Sequence, residues 1–251
     1  MASNTDTNAV LLEMFKRHIK NEPQEHGEVN INGFKHKIVN FEVDLLVKDT
    51  TSPLLLARVI FTARGESNPF APEDQSSIDL AAHITINPDH PSSSLVILEI
   101  PQDHEPVTTP RRASTIPTHP STGSTKSLAE TYRTYLETFM ADPATGEAQL
   151  PRFLHQPVTH NGRELTVPAY HSLGHDVRAV IPDLACDIVD LVADEERQVV
   201  AARLEFKGTP LLPKPDGQEV RIGEIVFYWF DGARIREVLS LVDGRELEGV
   251  S

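Results

Sequence analysis

Two carboxylates near the end of the chain, Glu237 and Asp243, have the residue type and spacing that proton-transfer chemistry requires. In an extended strand, alternate residues share a face, so Glu237, Leu239, Leu241 and Asp243 would lie on one side. A carboxyl group in apolar surroundings holds its proton more tightly than in water, so it can act as a general acid or base near neutral pH. Glu237 and Asp243 are therefore candidate catalytic residues.

Arg203 is a candidate positive charge for the same site. It lies on an earlier predicted strand, where the two-residue alternation puts Ala201, Arg203 and Glu205 on one face. Arg203 would keep a neighbouring carboxylate ionised, or it would stabilise an enolate as negative charge develops. The alternative is that Arg203 and a carboxylate form a buried ion pair that serves only the fold. The sequence leaves both roles open.

Four histidines fall in one stretch, and a neutral imidazole suits proton shuttling: His155, His160, His171 and His175. His171 is the favoured catalytic candidate because it follows Tyr170 in a segment that has no counterpart in the N-terminal half. His171 and His175 are one helical turn apart, a spacing that can bind a metal. No third ligand is placed beside them, so we expect no metal site.

Aromatic residues cluster in the segment from Val220 to Phe230. Strand alternation divides this segment into two sets, Ile225, Phe227 and Trp229 on one face and Ile222, Glu224, Val226 and Tyr228 on the other. One set would line a pocket and the other would pack under helices or at an interface, and the sequence leaves this choice open. The expected substrate-binding residues are Tyr228, Trp229, Tyr170, Glu205, Leu239 and Phe139.

The elements that must position these residues follow from the hydrophobic period. Apolar residues recur at helical spacing within residues 129–141, and a shorter helical segment begins at Leu150. A further helix is predicted after Pro168, and it stops before Pro182. Four strands then form a meander: Ala185 to Ala193, Gln198 to Lys207, Val220 to Phe230, and Arg234 to Asp243. Helices followed by an antiparallel sheet predict an α+β fold, with the helices on one face of a curved sheet.

The chain also contains an internal repeat. Residues 45–63 align without a gap with residues 190–208 at an offset of 145, and six of the nineteen pairs are identical. About one identity would be expected by chance. Farther upstream the offset is 129, so sixteen residues between Arg163 and Cys186 have no counterpart in the first copy. The repeat predicts a duplicated domain whose N-terminal copy is degenerate and lacks a helix. Arg58 is the equivalent of Arg203, which favours a structural role for this arginine.

The length of the chain limits the number of domains, and its charge limits the classes of partner. Its 251 residues are enough for two domains, and we expect them at residues 8–103 and 129–251. Residues 104–128 are rich in Pro, Ser and Thr, which predicts a flexible linker. A formal net charge of −14 would repel nucleic acid and anionic membranes, so the expected partner is a small-molecule substrate.

The single cysteine and the N-terminus give two further expectations. Cys186 lies in an apolar, regular segment, which is typical of a small core residue and not of a reactive thiol. The N-terminus carries acidic and polar residues where a signal peptide needs a basic start and an apolar run. We therefore expect a cytoplasmic protein.

The run from Pro182 to Asp243 resembles the SnoaL-like polyketide cyclase branch of the NTF2-like superfamily. In that branch a strand reading V-A-x-R leads to G-T, and a later strand reads D-G-K-I-x-E-x-W-x-x-x-D. Here the corresponding runs are VAARLEFKGT and DGARIREVLSLVD, with Leu239 in place of the Trp and Pro210 in place of a His that sometimes follows the Thr. The resemblance implies two cone-shaped α+β barrels, each a bent sheet around helices with a deep pocket. Because the family's Trp faces the cavity, it also implies that Glu237 and Asp243 point inward.

The resemblance implies an enzyme that works without cofactors, namely an isomerase or cyclase acting on a polyketide- or terpenoid-like intermediate of secondary metabolism. Asp243 or Glu237 would be acid and base, Arg203 the charge stabiliser, and His171 and Tyr228 auxiliary donors. Holding a reactive substrate in a folded conformer, as in pericyclic catalysis, is an alternative mechanism. The alternative function is a non-catalytic small-molecule binding module whose copies pair through their sheets, within the chain or in a homodimer.

Overall fold

A computed structural model of the chain describes residues 28–31, 34–48, 54–65, 77–86, 95–99, 127–211 and 219–243. The chain divides into two compact units, and the first contains most of the first five strands. The expected linker lies outside the described residues except for Ser127 and Leu128, as do the expected domain limits at residues 8 and 103.

The N-terminal unit contains a five-stranded sheet in the order β1-β2-β3-β4-β5. Its pairs β1–β2, β3–β4 and β4–β5 are antiparallel. The strands are β1 (Glu28–Ile31), β2 (Phe34–Lys48), β3 (Leu55–Gly65), β4 (Ser77–Ile86) and β5 (Leu95–Glu99). The described part of this unit consists of strands alone, so the expected second cone of sheet and helices is not established.

The C-terminal unit begins with helices and ends with a meander, as the sequence predicts. The helices are α1 (Leu128–Phe139), α2 (Pro143–Gln149) with a 3₁₀ turn at Leu150–Arg152, and α3 (Val167–Val180). The strands are β6 (Leu154–His160), β7 (Arg163–Leu165), β8 (Ala185–Asp194), β9 (Val199–Gly208), β10 (Val220–Asp231) and β11 (Arg234–Val242). The predicted α+β order is confirmed for this unit.

One six-stranded sheet joins these strands in the order β7-β6-β11-β10-β9-β8. The pairs β8–β9, β9–β10 and β10–β11 are antiparallel, whereas β6 pairs parallel with β11. The register shifts between Ile188 and Asp190 in β8 and between Trp229 and Phe230 in β10. Such irregularities bend a strand and increase its twist, which suits a sheet that curves around helices.

Local signals in the sequence fix both long helices. Ser127 caps α1 by accepting a hydrogen bond from the Glu130 backbone, and the Glu130 carboxylate accepts one from the Ser127 backbone. This reciprocal pair satisfies backbone donors that the first helical turn leaves free. Thr166 caps α3 by accepting a hydrogen bond from the Ala169 backbone N–H, without a reciprocal partner, and Pro168 occupies the first turn, where its missing N–H is not needed.

The two faces of the C-terminal sheet carry different residues. The face against the helices, called here the inner face, contributes Val200, Ala202, Leu204, Val226, Tyr228, Phe230, Ile235 and Val238 to the core. The residues between them alternate onto the outer face, where Ile225, Phe227 and Trp229 are also buried. Register fixes the face of each neighbouring strand, because Val226 pairs with Ala202 and with Ser240.

The repeated sequence falls on two neighbouring strands of each sheet. Residues 45–63 cover the end of β2 and most of β3, and residues 190–208 cover the end of β8 and all of β9. Strand β2 runs for 15 residues without interruption, whereas the C-terminal unit has β7, α3 and β8 in sequence. Residues 163–186, within which the repeat predicts sixteen unmatched residues, contain β7, α3 and the start of β8. The duplication itself stays a prediction.

Candidate functional site

All four tyrosines of the chain meet on the inner face of the C-terminal sheet. Tyr132 and Tyr135 come from α1, Tyr170 from α3 and Tyr228 from β10, and each is at most 4% exposed. The ring of Tyr228 lies 5.0 Å from that of Tyr132 and 5.5 Å from that of Tyr135, centroid to centroid. We call these four residues the tyrosine cluster. It puts several phenolic hydroxyls in one apolar space.

The hydroxyl groups of the cluster are not equally satisfied. The hydroxyl oxygens of Tyr135 and Tyr170 are 2.7 Å apart and form a buried hydrogen bond. The hydroxyl of Tyr132 is fully buried and forms no well-aligned hydrogen bond with a described residue, although it interacts with the Tyr228 side chain. A poorly satisfied buried polar group costs free energy, up to roughly 1–3 kcal/mol.

Glu224 lies on the same strand as Tyr228, four residues earlier and on the same inner face. Its carboxylate oxygen Oε1 accepts a hydrogen bond from the Ser240 hydroxyl on β11. Burial raises the pKa of Glu224 to about 7, and the Ser240 hydrogen bond opposes part of that rise. Both protonation states are then populated near neutral pH, as a general acid or base requires.

Glu224 is less buried than its neighbours on the inner face. It keeps intermediate exposure, whereas Val226 next along the inner face and Leu204 opposite are at most 1% exposed. Several apolar side chains around the same core are likewise only partly buried: Phe139, Met140, Phe153, Ile188 and Phe206. The core is therefore not fully closed around these residues.

The tyrosine phenols remain protonated donors. Burial is the main cause that raises the pKa values of Tyr132, Tyr135, Tyr170 and Tyr228. The negative charge of Glu224 raises three of these values further, those of Tyr132, Tyr170 and Tyr228. The site therefore combines one carboxyl that exchanges its proton near neutrality with neutral phenols that donate hydrogen bonds.

Cys186 borders the same site from β8. It is half-buried and packs against the inner core. Burial raises the pKa of its thiol to about 12, and the charges of Glu224 and Asp187 add to the effect. Because the thiolate is the reactive form, this thiol is inert at neutral pH. The structure agrees with a packing role and not with a nucleophile.

Of the two candidate histidines His160 and His171, only His160 borders the tyrosine cluster. His160, at the end of β6, has its ring 5.7 Å from the ring of Tyr170, and burial lowers its pKa. His171, favoured from the sequence, lies on α3 with its ring 6.1 Å from Phe139 and 4.6 Å from His175. It is 4% exposed, and burial chiefly lowers its pKa. Both rings are kept neutral, and His171 serves the packing of α3.

The structure places the expected charge stabiliser elsewhere. Arg203 pairs with Ile225 in the β9–β10 register, on the outer face, and its guanidinium lies 3.7 Å from the Asp190 carboxylate. Glu205 is on the same face, 3.3 Å from Arg221. Trp229 also faces outward. These expected site residues are therefore separated from the tyrosine cluster by the thickness of the sheet.

The expectation that Glu237 and Asp243 point inward is wrong in the same way. Leu239 pairs with Phe227 and Leu241 with Ile225, so Glu237, Leu239 and Leu241 lie on the outer face. Asp243 follows two residues after Leu241 and continues the ladder by donating its backbone N–H to the Gly223 carbonyl, 2.7 Å away. The prediction assumed that Leu239 faces the cavity because it occupies the position of the family's Trp.

Of the expected substrate-binding residues, Tyr228, Tyr170 and Phe139 do come together, with the rings of Phe139 and Tyr170 5.7 Å apart. The sequence reading missed Glu224, Ser240, Tyr132 and Tyr135 as site residues. A signal was present, because Glu224 and Tyr228 share a strand face with Val226 and Ile222. A carboxylate among apolar residues on an alternating strand is itself unusual enough to mark a site.

No group of three or more His, Cys, Asp or Glu side chains that could hold a metal ion occurs among the described residues. No helix in the described part is long and apolar enough to cross a membrane.

Comparison with known proteins relates the C-terminal half of the chain to a family. Residues 129–248 match the model of the SnoaL-like polyketide cyclase family. The chain is 33% identical to a SnoaL-like polyketide cyclase from Agrobacterium tumefaciens, over 49% of this chain and 97% of that one, with a TM-score of 0.43. No curated protein matches the chain significantly.

Two other solved structures are more distant. A candidate polyketide cyclase from Acidithiobacillus ferrooxidans is 22% identical over 51% of this chain and 97% of that one, with a TM-score of 0.41. IdmH, a candidate polyketide cyclase from Streptomyces antibioticus, is 15% identical over 50% of this chain and 98% of its own, with a TM-score of 0.42. By the match over residues 129–248 and the identity to the Agrobacterium protein, the chain belongs through its C-terminal half to the SnoaL-like polyketide cyclase family.

Proposed function

We propose that the C-terminal unit is a cofactor-independent cyclase or isomerase that acts on a polyketide- or terpenoid-like intermediate, with Glu224 as its general base and acid. The observation that carries this proposal is the place of Glu224, which shares the inner face with Tyr228, accepts a hydrogen bond from Ser240 and has its pKa raised by burial to about 7. Membership of the SnoaL-like polyketide cyclase family supports the reaction class.

The reaction begins with removal of a proton from carbon. Ionised Glu224 takes a proton from the carbon next to a substrate carbonyl, and the electron pair moves onto the carbonyl oxygen as an enolate. A phenol of the tyrosine cluster donates a hydrogen bond to that oxygen, and Tyr132, whose hydroxyl forms no well-aligned hydrogen bond, is the candidate donor. In an isomerisation, Glu224 returns the proton to a different carbon.

Ring closure uses the same groups. The enolate carbon attacks a second carbonyl carbon of the folded substrate, a carbon–carbon bond forms, and the second carbonyl becomes an alkoxide. The protonated Glu224 then gives its proton to this alkoxide, so the carboxylate is regenerated. The aromatic walls hold the chain in the folded conformer that brings the two carbons together.

The catalytic roles expected from the sequence for Asp243, Glu237 and Arg203 do not enter this mechanism, since their side chains are assigned to the outer face. His171 enters only as a packing residue of α3. His160 borders the cluster, and the Tyr135–Tyr170 pair within it supplies a further donor.

The test uses heptane-2,6-dione, a simple diketone that closes to 3-methylcyclohex-2-enone with loss of water. We expect the full-length protein to accelerate this closure, followed by absorbance of the enone. E224Q should lower kcat/KM by about a hundredfold or more, because a positioned base contributes that much. E219Q, at an exposed position whose carboxylate pairs with Arg221, is the matched control and should leave the rate unchanged.

E237Q distinguishes the two faces of the sheet. If E237Q loses diketone cyclisation while E224Q keeps full activity, the proposal is contradicted and Glu237, predicted from the sequence, is the catalytic carboxylate. Absence of turnover in the unchanged protein would contradict catalysis, and the alternative of a binding module would then stand. Circular dichroism of each variant shows that the fold is intact.

A further inference from the structure

We propose that Asn161 is a positioning residue of the candidate site, because its side-chain amide holds the backbone of Ser240 and so keeps the Ser240 hydroxyl within hydrogen-bonding reach of Glu224. This inference rests on the proposed function and adds a residue that acts on Glu224 through a second one. Three hydrogen bonds connect the β6–β7 turn to β11 and carry it.

Asn161 and Gly162 form the two-residue turn between β6 and β7. The flanking residues His160 and Arg163 pair with each other, and φ is 46° at Asn161 and 79° at Gly162. Asn-Gly is a preferred sequence for such a turn because both residues tolerate positive φ. The turn explains why an asparagine is accepted at residue 161, but it makes no use of the side-chain amide.

The side-chain amide of Asn161 pairs with the backbone of Ser240 on β11. The Ser240 N–H donates to Oδ1 of Asn161 over 2.8 Å, and Nδ2 of Asn161 donates to the Ser240 carbonyl over 3.0 Å. The backbone N–H of Asn161 also donates to the Val238 carbonyl, 2.9 Å away. A donor on one side and an acceptor on the other fix the orientation of the amide. Ser240 is therefore held by both of its backbone polar groups.

This contact lies where the pairing of β6 with β11 ends. The last parallel pair is His160 with Val238, two residues before Ser240. In a strand, the N–H and C=O of one residue point to the same side, and those of Ser240 point away from β10 because Asn161 takes both. The Asn161 side chain thus takes the place of β6 for one further step along β11.

The hydroxyl of Ser240 extends from the same residue onto the inner face. It donates a hydrogen bond to Oε1 of Glu224, its diagonal neighbour on β10. Because the backbone sets the direction of a side chain, a fixed Ser240 backbone keeps the hydroxyl beside the carboxylate. A backbone that moves would loosen this hydrogen bond, and Glu224 would then hold its proton more tightly. Asn161 therefore acts on Glu224 through Ser240.

The titratable groups that interact with the charge of Glu224 stay neutral near neutral pH. Among the described residues they are Tyr132, Tyr170, Cys186 and Tyr228. Burial raises the pKa of each. Arg236 is the described basic residue of β11 nearest to Ser240 along the chain, and its Nε is buried. None of these groups changes in the variants below, so a shift in the pKa of Glu224 reports on its contact with Ser240.

The test measures the pKa of Glu224 in the full-length protein without substrate. A ¹³C NMR titration of protein labelled at the glutamate side-chain carboxyls gives this pKa, and the Glu224 signal is the one that E224Q removes. N161G is the main variant, because glycine accepts the positive φ of the turn and only the amide is lost. We expect N161G to raise the pKa of Glu224 by about 0.5, part of the effect of a hydrogen bond to a charged group.

A second variant shows whether the effect passes through Ser240. S240A should raise the pKa of Glu224 by more than N161G does, since it removes the hydroxyl itself. Adding N161G to S240A should change the pKa by less than about 0.2, because the group that Asn161 positions is already gone.

Q198G is the matched control for the turn. Gln198 also has a positive φ, 55°, and it lies in the connection between β8 and β9. Its side chain donates to a backbone carbonyl as well, that of Glu195, 2.7 Å away. Q198G should leave the pKa of Glu224 unchanged.

Amide hydrogen exchange reads the same contact directly. The Ser240 N–H donates to Asn161, so its exchange should become at least about tenfold faster in N161G, as expected for the loss of one hydrogen bond. Q198G should leave the exchange of this amide as it is in the unchanged protein.

Three results would overturn the proposal: an unshifted pKa of Glu224 in N161G, an unchanged exchange rate at Ser240, or an equal shift from N161G in the S240A background. Failure of the proposed function gives a different result. If N161G shifts this pKa but E224Q does not slow cyclisation of heptane-2,6-dione, the base role of Glu224 alone is contradicted. If E224Q stops cyclisation and N161G leaves the pKa in place, the positioning role of Asn161 alone is contradicted.

Discussion

Ser240 donates a hydrogen bond to Oε1 of Glu224 across the β10–β11 pair. The register pairs Ser240 with Val226, so Ser240 and Glu224 are diagonal neighbours on the inner face. The hydrogen bond favours the ionised carboxylate, and burial favours the protonated carboxyl. The pKa of about 7 is the balance between these two effects, with burial the larger.

Replacing Ser240 with alanine should shift the pH dependence of turnover. S240A removes the hydrogen bond that stabilises the carboxylate, so the pKa of Glu224 should move above about 7. A base that ionises later needs a higher pH, and the acidic limb of the kcat/KM profile with heptane-2,6-dione should move to higher pH. S172A removes an exposed hydroxyl that bonds only to the Ala169 carbonyl among the described residues. It should leave the profile in place, and an unmoved S240A profile would refute the assignment.

Glu224 should make the protein less stable as pH rises. The pKa of this carboxyl is about 7 in the folded protein and 4.5 as its ordinary value, so folding favours the protonated form. The penalty is absent below pH 4.5, grows as pH rises through the interval, and reaches at most about 3 kcal/mol above pH 7. Urea unfolding should show E224Q gaining stability over the unchanged protein between pH 5 and pH 8. A constant difference across this range would argue against the raised pKa.

The buried hydroxyl pair of Tyr135 and Tyr170 should show strong coupling. Y135F leaves the Tyr170 hydroxyl without its 2.7 Å partner, and Y170F does the reverse. Each single change should cost about 1–3 kcal/mol in the free energy of unfolding. The double variant should cost less than the sum, because both polar atoms are gone. Additive costs in urea unfolding would mean that the hydroxyls do not satisfy each other.

Gly146 on α2 provides space for His171. A Cβ added at Gly146 would lie 2.5 Å from Nε2 of His171, whose ring is buried against Phe139 and His175. G146A should therefore destabilise the protein by about 1 kcal/mol in thermal or urea unfolding. In an H171A background the same change should become stabilising, because alanine is a better helix former than glycine. The same sign in both backgrounds would exclude the steric contact as the cause.

Most of the C-terminal elements could be predicted from the sequence because their signals are local. The predicted strand from Val220 to Phe230 is observed as Val220–Asp231, and the predicted stop before Pro182 follows α3 by one residue. Alternation also grouped Tyr228 correctly with Glu224 and separated both from Trp229. These outcomes depend only on residues close to one another along the chain.

Which face of the sheet meets the helices could not be predicted in the same way. A period of two residues says which side chains share a face but not which face is inner. At the register shift between Trp229 and Phe230, one extra residue is inserted in β11 after Ile235, so the alternation of faces is interrupted there. Ser240, which hydrogen-bonds Glu224, comes from the next strand, and Tyr132, whose pKa the charge of Glu224 raises, comes from a helix 92 residues earlier. The sequence alone therefore does not show that these residues are close to Glu224.

The gathering of every tyrosine at one place gives the protein a built-in optical reporter. Its near-ultraviolet tyrosine bands arise from Tyr132, Tyr135, Tyr170 and Tyr228 alone, whereas its single tryptophan, Trp229, lies on the opposite face of the sheet. A guest molecule that enters beside Glu224 should perturb the phenol absorption strongly and the indole absorption weakly. Difference spectroscopy can therefore follow occupancy without any label.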